Sequence, residues 1–421
     1  MEDTKRLKPF FAENASLSKR NILLVITGVL IIRALLTLLP SYQIDMNGYR
    51  AWSLYLADHG YAGFYRAFHV VYGPVIPYFL QLSGILAKTF SLSSHAHEYL
   101  IKLWAVLSDL AGAVFLYLLG RRRGRMRRGF LLGAAYLLNP AVFFNSSVWG
   151  QFDSLSATML LGALYLMVLG EKSSAVALFV VSILTKPQSA FLAPIIAYLF
   201  FAVDFNWRTL FSSLIAGGAV YLGLIHPFSD GRPVFWLIEH YFKSGGDYPY
   251  ATANAFNLWT LLGGQTVQDS KPFLGLTFAA WSLIFLALSC LVVFVFLRRR
   301  QAHLFSWFFS AYFLALAVFF LGPRMHERYL FPALIFLTAL VLWKRAFFLP
   351  LVILSGCHLA NQCYIYELAR KGRYWVPRFD LPASVIAVVT LGVLLQAVGY
   401  LLRNLRLPAD QRVMYGKGVE I

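Results

Sequence analysis

The residues able to do acid–base or phosphate chemistry gather in five short segments between apolar runs. The segments are 43–47, 149–154, 185–188, 254–257 and 324–329. Asp45 can act as a base, whereas Lys186 and the run Arg324 to Arg328 can hold an anion such as phosphate. Ionisable groups beside apolar helices are costly and tend to mark function. The pattern predicts a site that combines one carboxylate base with a basic cluster.

Each of these residues also has a structural interpretation. Asp45 can be a solvated loop residue or a helix cap, and Asp153 can cap the apolar run that follows it. Lys186 can reach the membrane interface without binding a ligand. The charges at 324–328 can pair with one another.

The composition identifies the kind of molecule that must position these groups. Hydrophobic residues make up 59% of the 421 residues and charged residues 13%, where a soluble domain carries roughly 25%. This excludes a soluble globular protein, and 17% aromatic residues exclude a disordered one. The apolar runs have the length that a helix needs to cross a bilayer. The sequence predicts an all-α polytopic membrane protein.

The basic clusters orient the chain. Six arginines lie within 121–128, and further Lys and Arg clusters lie at 298–300, 344–345 and 403–412. Short loops rich in these residues stay cytoplasmic, so the termini, 1–21 and 403–421, are predicted to be cytoplasmic. About twelve spans follow within a single domain, 1–421: 22–40, 99–120, 129–146, 154–170, 173–186, 188–203, 208–226, 273–297, 304–322, 329–343, 346–365 and 382–402.

The topology leaves a long first external loop, 41–98. Its apolar stretch 71–90 contains Pro74, Pro77 and Gly84, and it is predicted to lie at the interface and not to cross the membrane. All five polar segments then lie at or near the external ends of spans. The net charge of +18 is explained by the orienting loops and anionic headgroups, so no nucleic-acid partner is expected.

Several motifs together resemble those of the GT-C glycosyltransferases. They are Asp45 in a long first loop, Tyr-Gly-Pro from Tyr72, Lys102 with Asp109, Asn139-Pro140 leading to Trp-Gly-Gln-Phe-Asp-Ser, Thr-Lys-Pro-Gln, and Met-His-Glu-Arg-Tyr from Met325. The resemblance is to prokaryotic relatives of the GPI mannosyltransferases and, more distantly, to dolichyl-phosphate-glucose-dependent glucosyltransferases. The chain has Met-His-Glu-Arg where the glucosyltransferases have His-x-His-Glu, which leaves the sugar open.

The resemblance implies the GT-C fold, a polyprenyl-phosphate sugar as donor, and an inverting transfer of one hexose to a lipid-linked or glycan hydroxyl. Mannose is the favoured sugar. Asp45 matches the first-loop acid that acts as the family's catalytic base. The expected location is the plasma (inner) membrane of a prokaryote with an external active site, with the endoplasmic reticulum membrane as the alternative.

This chemistry assigns a role to each candidate. Asp45 takes the proton of the acceptor hydroxyl, and the donor phosphate is held by Lys186, Arg324, His326 and Arg328. Glu327 orients His326 or Arg328. The supporting residues are Asp153, Gln151, Gln188 and Asn257. The external loops contain no Asp-x-Asp pair, and the basic cluster can supply the positive charge of an ion. No cofactor is therefore expected, with a divalent metal as the less favoured alternative.

Two other functions use the same groups. A lipid flippase or transporter would place charges near the middle of several spans, as Asp109 is placed. An oligosaccharide ligase or polymerase would share the base and the basic cluster, and only a donor assay distinguishes it.

Overall fold

The computed structural model describes residues 18–300 and 303–406, which form a bundle of helices. The helices are α1 (Lys19–Thr37), α2 (Gln43–His59), α3 (Phe64–Ala67), α4 (Val75–Thr89), α5 (Ser94–Arg122), α6 (Met126–Leu137), α7 (Pro140–Phe143), α8 (Asp153–Leu169), α9 (Lys172–Thr185), α10 (Ala193–Ala202), α11 (Trp207–Ile225), α12 (Trp236–Ser244), α13 (Leu258–Leu261), α14 (Phe278–Arg299), α15 (Leu304–Leu321), α16 (Phe331–Leu340), α17 (Phe348–Arg370) and α18 (Leu381–Arg406). Short strands β1 (Pro272–Phe273) and β2 (Leu276–Thr277) pair antiparallel.

The helices account for all twelve predicted spans. In the described part of the chain, seven helices are long and apolar enough to cross a membrane, and an eighth span forms if the bent pair Met126–Leu137 and Pro140–Trp149 counts as one. Four shorter apolar helical segments correspond to the remaining spans: Asp153–Leu169, Lys172–Thr185, Pro187–Ala202 and Phe331–Leu340. The helical membrane fold is confirmed, and the count of twelve crossings stays a prediction.

The predicted span 129–146 is broken in the structure. Its two parts meet at a bend of 50°, where Pro140 follows Asn139. Proline cannot donate the backbone hydrogen bond of a helix interior, so a new helix starts there, with the Asn139 side chain accepting from the amide of Ala141 at 3.0 Å. A π-helical turn, Phe144–Trp149, follows and presents the next residues to the site.

The first loop carries three helices, α2 to α4. Helix α4 has 15 residues, and its location at the membrane interface stays a prediction. It packs on α2, where Ser53 Oγ donates to the carbonyl of Leu80 at 2.8 Å. The last five residues of the predicted loop, 94–98, belong to α5.

Contacts between helix ends divide the bundle into two ends. At one, the basic end, Arg125 and Arg128 donate to the carbonyls of Leu342 and Val341 at 2.7 and 2.5 Å. Arg299 donates to the carbonyl of Leu405 at 2.5 Å. Because α1 leads away from its basic N-terminus to α2, Asp45 lies at the other end, called here the Asp45 end.

The centre and the outside of the bundle differ as expected for a protein in lipid. Helix α16 is apolar on all sides, and nine of its ten residues are buried. Large side chains of α1, α11 and α14 are exposed on the outside, such as Leu24, Ile215 and Leu283. In the bilayer, lipid tails would cover them.

Candidate active site

Asp45 lies in the first turn of α2, where the helix dipole favours a negative charge. Its Oδ2 accepts from Trp149 Nε1 at 2.8 Å and from the side-chain amide of Gln151. Among the described residues, its Oδ1 accepts no hydrogen bond, and the side chain is partly exposed. One oxygen is thus fixed in place while the other is open to a proton.

Gln151 connects Asp45 to the rest of the site. This residue is fully buried, and its Oε1 accepts from Tyr49 at 3.1 Å and from Tyr72 at 3.4 Å. Lys186 Nζ lies 3.5 Å from the same oxygen. The amide orientation follows from this network, because only the nitrogen side can donate to a carboxylate.

Lys186 and Asp153 form a buried ion pair. Lys186 Nζ lies 2.5 Å from Asp153 Oδ1, and the two side chains are 3% and 5% exposed. Asn145 donates to the other oxygen of Asp153 at 3.0 Å, and the ammonium lies 5.3 Å from the ring centroid of Tyr72. Both members of the pair line a small cavity with Gln188, which is exposed.

The segment after α15 forms a second charged group. Arg328 Nη1 lies 2.6 Å from Glu327 Oε1, and His326 Nδ1 lies 3.8 Å from Glu327 Oε2. Burial alone would raise the pKa of Glu327, but the charge of Arg328 and the proximity of His326 lower it to about 2. Glu327 is therefore ionised at neutral pH.

Arg328 keeps its charge and has a donor to spare. Burial alone would lower its pKa, but Tyr72, Glu327 and Asp45 raise it well above its ordinary value. Its Nε is buried and has no hydrogen-bond partner among the described residues. A buried donor without a partner is costly, and an anionic ligand would satisfy it.

Two predicted residues have other partners in the structure. Arg324, with a backbone φ of +60°, lies 2.6 Å from Asp269 through its Nε and also donates to the carbonyl of Gly245. Asn257 caps α13 and donates to the carbonyl of Phe319 at 3.2 Å. Arg324 contacts the loop that follows α12, and Asn257 belongs to it. A direct role in ligand binding stays a prediction for each.

Some residues of the site were not selected from the sequence. Trp149 and Tyr72 belong to motifs that indicate the site, so the sequence could have predicted that they lie there. Tyr49 lies one helical turn after Asp45, which also placed it nearby. Tyr248, whose ring centroid lies 4.8 Å from that of His326, had no such signal.

The described residues include no group of three His, Cys, Asp or Glu side chains that could hold a metal ion. Cys290, Cys357 and Cys363 are free. Metal independence stays a prediction.

Comparison with known proteins gives a structural match. No family model and no curated protein matches the chain. The solved structure of ArnT from Cupriavidus metallidurans bound to undecaprenyl phosphate matches with a TM-score of 0.52 and 16% sequence identity, over 94% of this chain and 78% of that one. The chain therefore has the fold of ArnT, and the predicted GT-C membrane fold is confirmed.

Proposed function

We propose that this protein is a glycosyltransferase that uses a polyprenyl-phosphate sugar as donor. Its fold is that of ArnT, whose structure was solved with undecaprenyl phosphate bound. The proposed reaction moves one hexose, with mannose as the first candidate, to a hydroxyl of a lipid-linked or glycan acceptor. The proposed location is the external face of a prokaryotic plasma membrane.

The observation that carries the proposal is that Asp45 is held through one oxygen at the end of the bundle that also contains the charged Arg328. One oxygen of Asp45 is held by Trp149 and Gln151, and its charge adds to those that raise the pKa of Arg328. Asp45 and the permanent cation Arg328 thus act on each other electrostatically at the Asp45 end. Phosphate is a good leaving group, so transfer from a sugar phosphate needs no general acid. It needs a base for the acceptor hydroxyl and a cation for the departing phosphate.

The proposed step is a single displacement. Asp45 takes the proton of the acceptor hydroxyl while the hydroxyl oxygen bonds to the anomeric carbon. The bond between that carbon and the phosphate oxygen breaks, and polyprenyl phosphate leaves with the electron pair. Arg328 and Lys186, with His326 and Arg324, stabilise the negative charge on the phosphate.

The remaining residues hold these groups in position. Glu327 fixes Arg328, Asp153 fixes Lys186, and Gln151 fixes Asp45. Because Lys186 is paired at 2.5 Å, its role in phosphate binding requires that it share its charge between Asp153 and the donor. Gln188 lies on the wall of the adjacent cavity.

The test is transfer by purified protein in lipid from a panel of polyprenyl-phosphate sugars, mannose first. Membrane lipid extract serves as acceptor. Asp45→Asn keeps the size of the side chain and an oxygen for Trp149 and Gln151, so we expect donor binding to persist while the rate falls roughly 10²- to 10⁴-fold. The matched control is Asp58→Asn in the same helix, where Asp58 pairs with Lys88 at the surface, and it should leave the rate unchanged.

Three outcomes would contradict the proposal. An active Asp45→Asn variant would remove Asp45 as the base. The absence of transfer from every monophosphate donor would favour an oligosaccharide ligase or a transporter. A β-linked donor that yields a β-linked product would exclude the single displacement.

A further inference from the structure

A cavity of about 310 Å³ opens at the basic end of the bundle, opposite the proposed active site. It lies between α15, α17 and the last turns of α18. Lys344 and Arg403 line it, and Ala346, Phe347, Pro350, Val393 and Leu395 form an apolar wall. The reaction proposed above uses none of these residues.

The described surroundings of the cavity are rich in basic side chains. The segments 298–300, 303–304, 344–345 and 403–405 contain six Lys or Arg residues, one His, and no Asp or Glu. Lys344 Nζ donates to the hydroxyl of Tyr400 at 2.8 Å and lies 5.0 Å from the ring centroids of Phe305 and Tyr400. No described carboxylate pairs with Lys344 or Arg403. Burial, together with Arg300 and Lys344, lowers the pKa of His303.

The interior of the cavity is polar where it lies within the bundle. Tyr312 lines it and is 1% exposed, and its hydroxyl makes no hydrogen bond within 18–300 or 303–406. Gln396 also lines the cavity at an exposed position of α18, and its amide has no described partner. At 1.5 Å per residue, Tyr312 lies about 12 Å along α15 from the basic end. The cavity therefore passes from charged to polar groups beside an apolar wall.

We propose that this cavity binds an anionic glycerophospholipid, with its phosphate between Lys344 and Arg403. The glycerol hydroxyls or ester oxygens would bond to Tyr312 and Gln396, and the acyl chains would follow the apolar wall to the bilayer. A free phosphate ion would leave that wall and the polar interior unused. Exposed apolar residues next to the cavity, such as Leu349 and Leu395, continue this path into the hydrocarbon. The proposal does not depend on the glycosyltransferase function.

The test is native mass spectrometry of the full-length protein in detergent. Dioleoylphosphatidylglycerol is the probe, and dioleoylphosphatidylcholine is the neutral comparison. We expect one tightly bound phosphatidylglycerol in the wild type and about tenfold or more weaker binding in Lys344→Gln/Arg403→Gln, because basic groups near anionic lipid attract it strongly. The matched control Arg20→Gln/Arg208→Gln removes two exposed charges elsewhere and should bind as the wild type does.

A second variant protects the test against misfolding. Gln396→Leu removes a polar group from the lining of the cavity without altering its charge, and it should also weaken phosphatidylglycerol binding. Equal binding of both lipids, or equal binding by the double variant and its control, would overturn the proposal. Displacement by millimolar inorganic phosphate would identify a free-anion site instead. A preference for undecaprenyl phosphate would assign the cavity to the donor's carrier lipid.

Discussion

The three carboxylates of the proposed site, Asp45, Asp153 and Glu327, differ in their partners. Asp153 is paired with Lys186, and Glu327 is paired with Arg328. Within 18–300 and 303–406, Asp45 accepts only from the neutral donors of Trp149 and Gln151. A carboxylate that is tied to a cation at close range is a poor base, because its charged form is stabilised. The contacts therefore favour Asp45 as the group that takes the acceptor proton.

Replacing Glu327 should show that its ion pair with Arg328 stabilises the fold. Glu327→Gln leaves the buried Arg328 without its charged partner, a loss of about 3–5 kcal/mol for a buried pair, and should lower Tm at pH 7. The folded pKa of Glu327, about 2, lies below its ordinary value of 4.5. Its stabilising effect is therefore complete above pH 4.5 and is lost as the pH falls towards 2.

The measurement is Tm of the purified protein between pH 7 and pH 3, in detergent. The gap between wild type and Glu327→Gln should be widest at pH 7 and should narrow below pH 4.5. Glu239→Gln, at an exposed position of α12, should show no gap at any pH. A gap that does not depend on pH would mean that the Glu327 charge is not what stabilises the fold.

At the scale of elements, the position of Asp45 depends on how α2 packs. Gly84 in α4 lies against the backbone of α2, where an added Cβ would come within 2.0 Å of the carbonyl oxygen of Ser53. The helices can approach this closely only because residue 84 has no side chain. The same helix α2 carries Tyr49, which donates to Gln151 Oε1, whereas the amide nitrogen of Gln151 donates to Asp45.

Gly84→Ala should therefore separate α4 from α2. Overpacking of this kind costs roughly 1–3 kcal/mol, and we expect a lower Tm together with reduced sugar transfer. Gly218→Ala is the matched control, because a Cβ at Gly218 in α11 meets no atom within 4 Å and alanine favours a helix. Unchanged Tm and transfer in Gly84→Ala would show that this packing does not position the site.

At the scale of the whole molecule, charge is distributed unevenly between the two ends and the interior. The basic loops meet at one end, and the acid–base groups meet at the other. Within the bundle, Arg33 pairs with Asp109, and both are at most 1% exposed. Ser146 and Tyr136 also donate to Asp109 at 2.5 and 3.3 Å. A buried charge that is paired with an opposite charge supports a structural role more than a transport pathway.

Labelling of single cysteines tests the orientation. In a background without Cys290, Cys357 and Cys363, an impermeant maleimide added to intact cells should label Lys88→Cys in the first loop. It should label Arg121→Cys only after the membrane is permeabilised, because arginine-rich loops stay cytoplasmic. Both positions are exposed, so access through the membrane decides the result. The reverse pattern would place Asp45 in the cytoplasm.

The amino-acid sequence alone is enough to predict the class of fold and the segments of the site. Long apolar runs and arginine-rich loops are local properties, so hydropathy and charge placed every helical segment that corresponds to a predicted span. It also placed Asp45, Gln151 and the run from Arg324 to Arg328 at one end. The sequence shows Pro140 within the predicted span 129–146, but the bend of the helix at this residue appears only in the structure.

The partner of each charged side chain is visible in the three-dimensional structure and not in the sequence. Lys186 meets Asp153, Arg324 meets Asp269, and Arg33 meets Asp109, across separations of 33, 55 and 76 residues. Packing of distant helices sets these pairs, and the helical period within one segment carries no information about them. The division of the carboxylates into paired and unpaired groups, which favours Asp45 as the base, was therefore visible only in three dimensions.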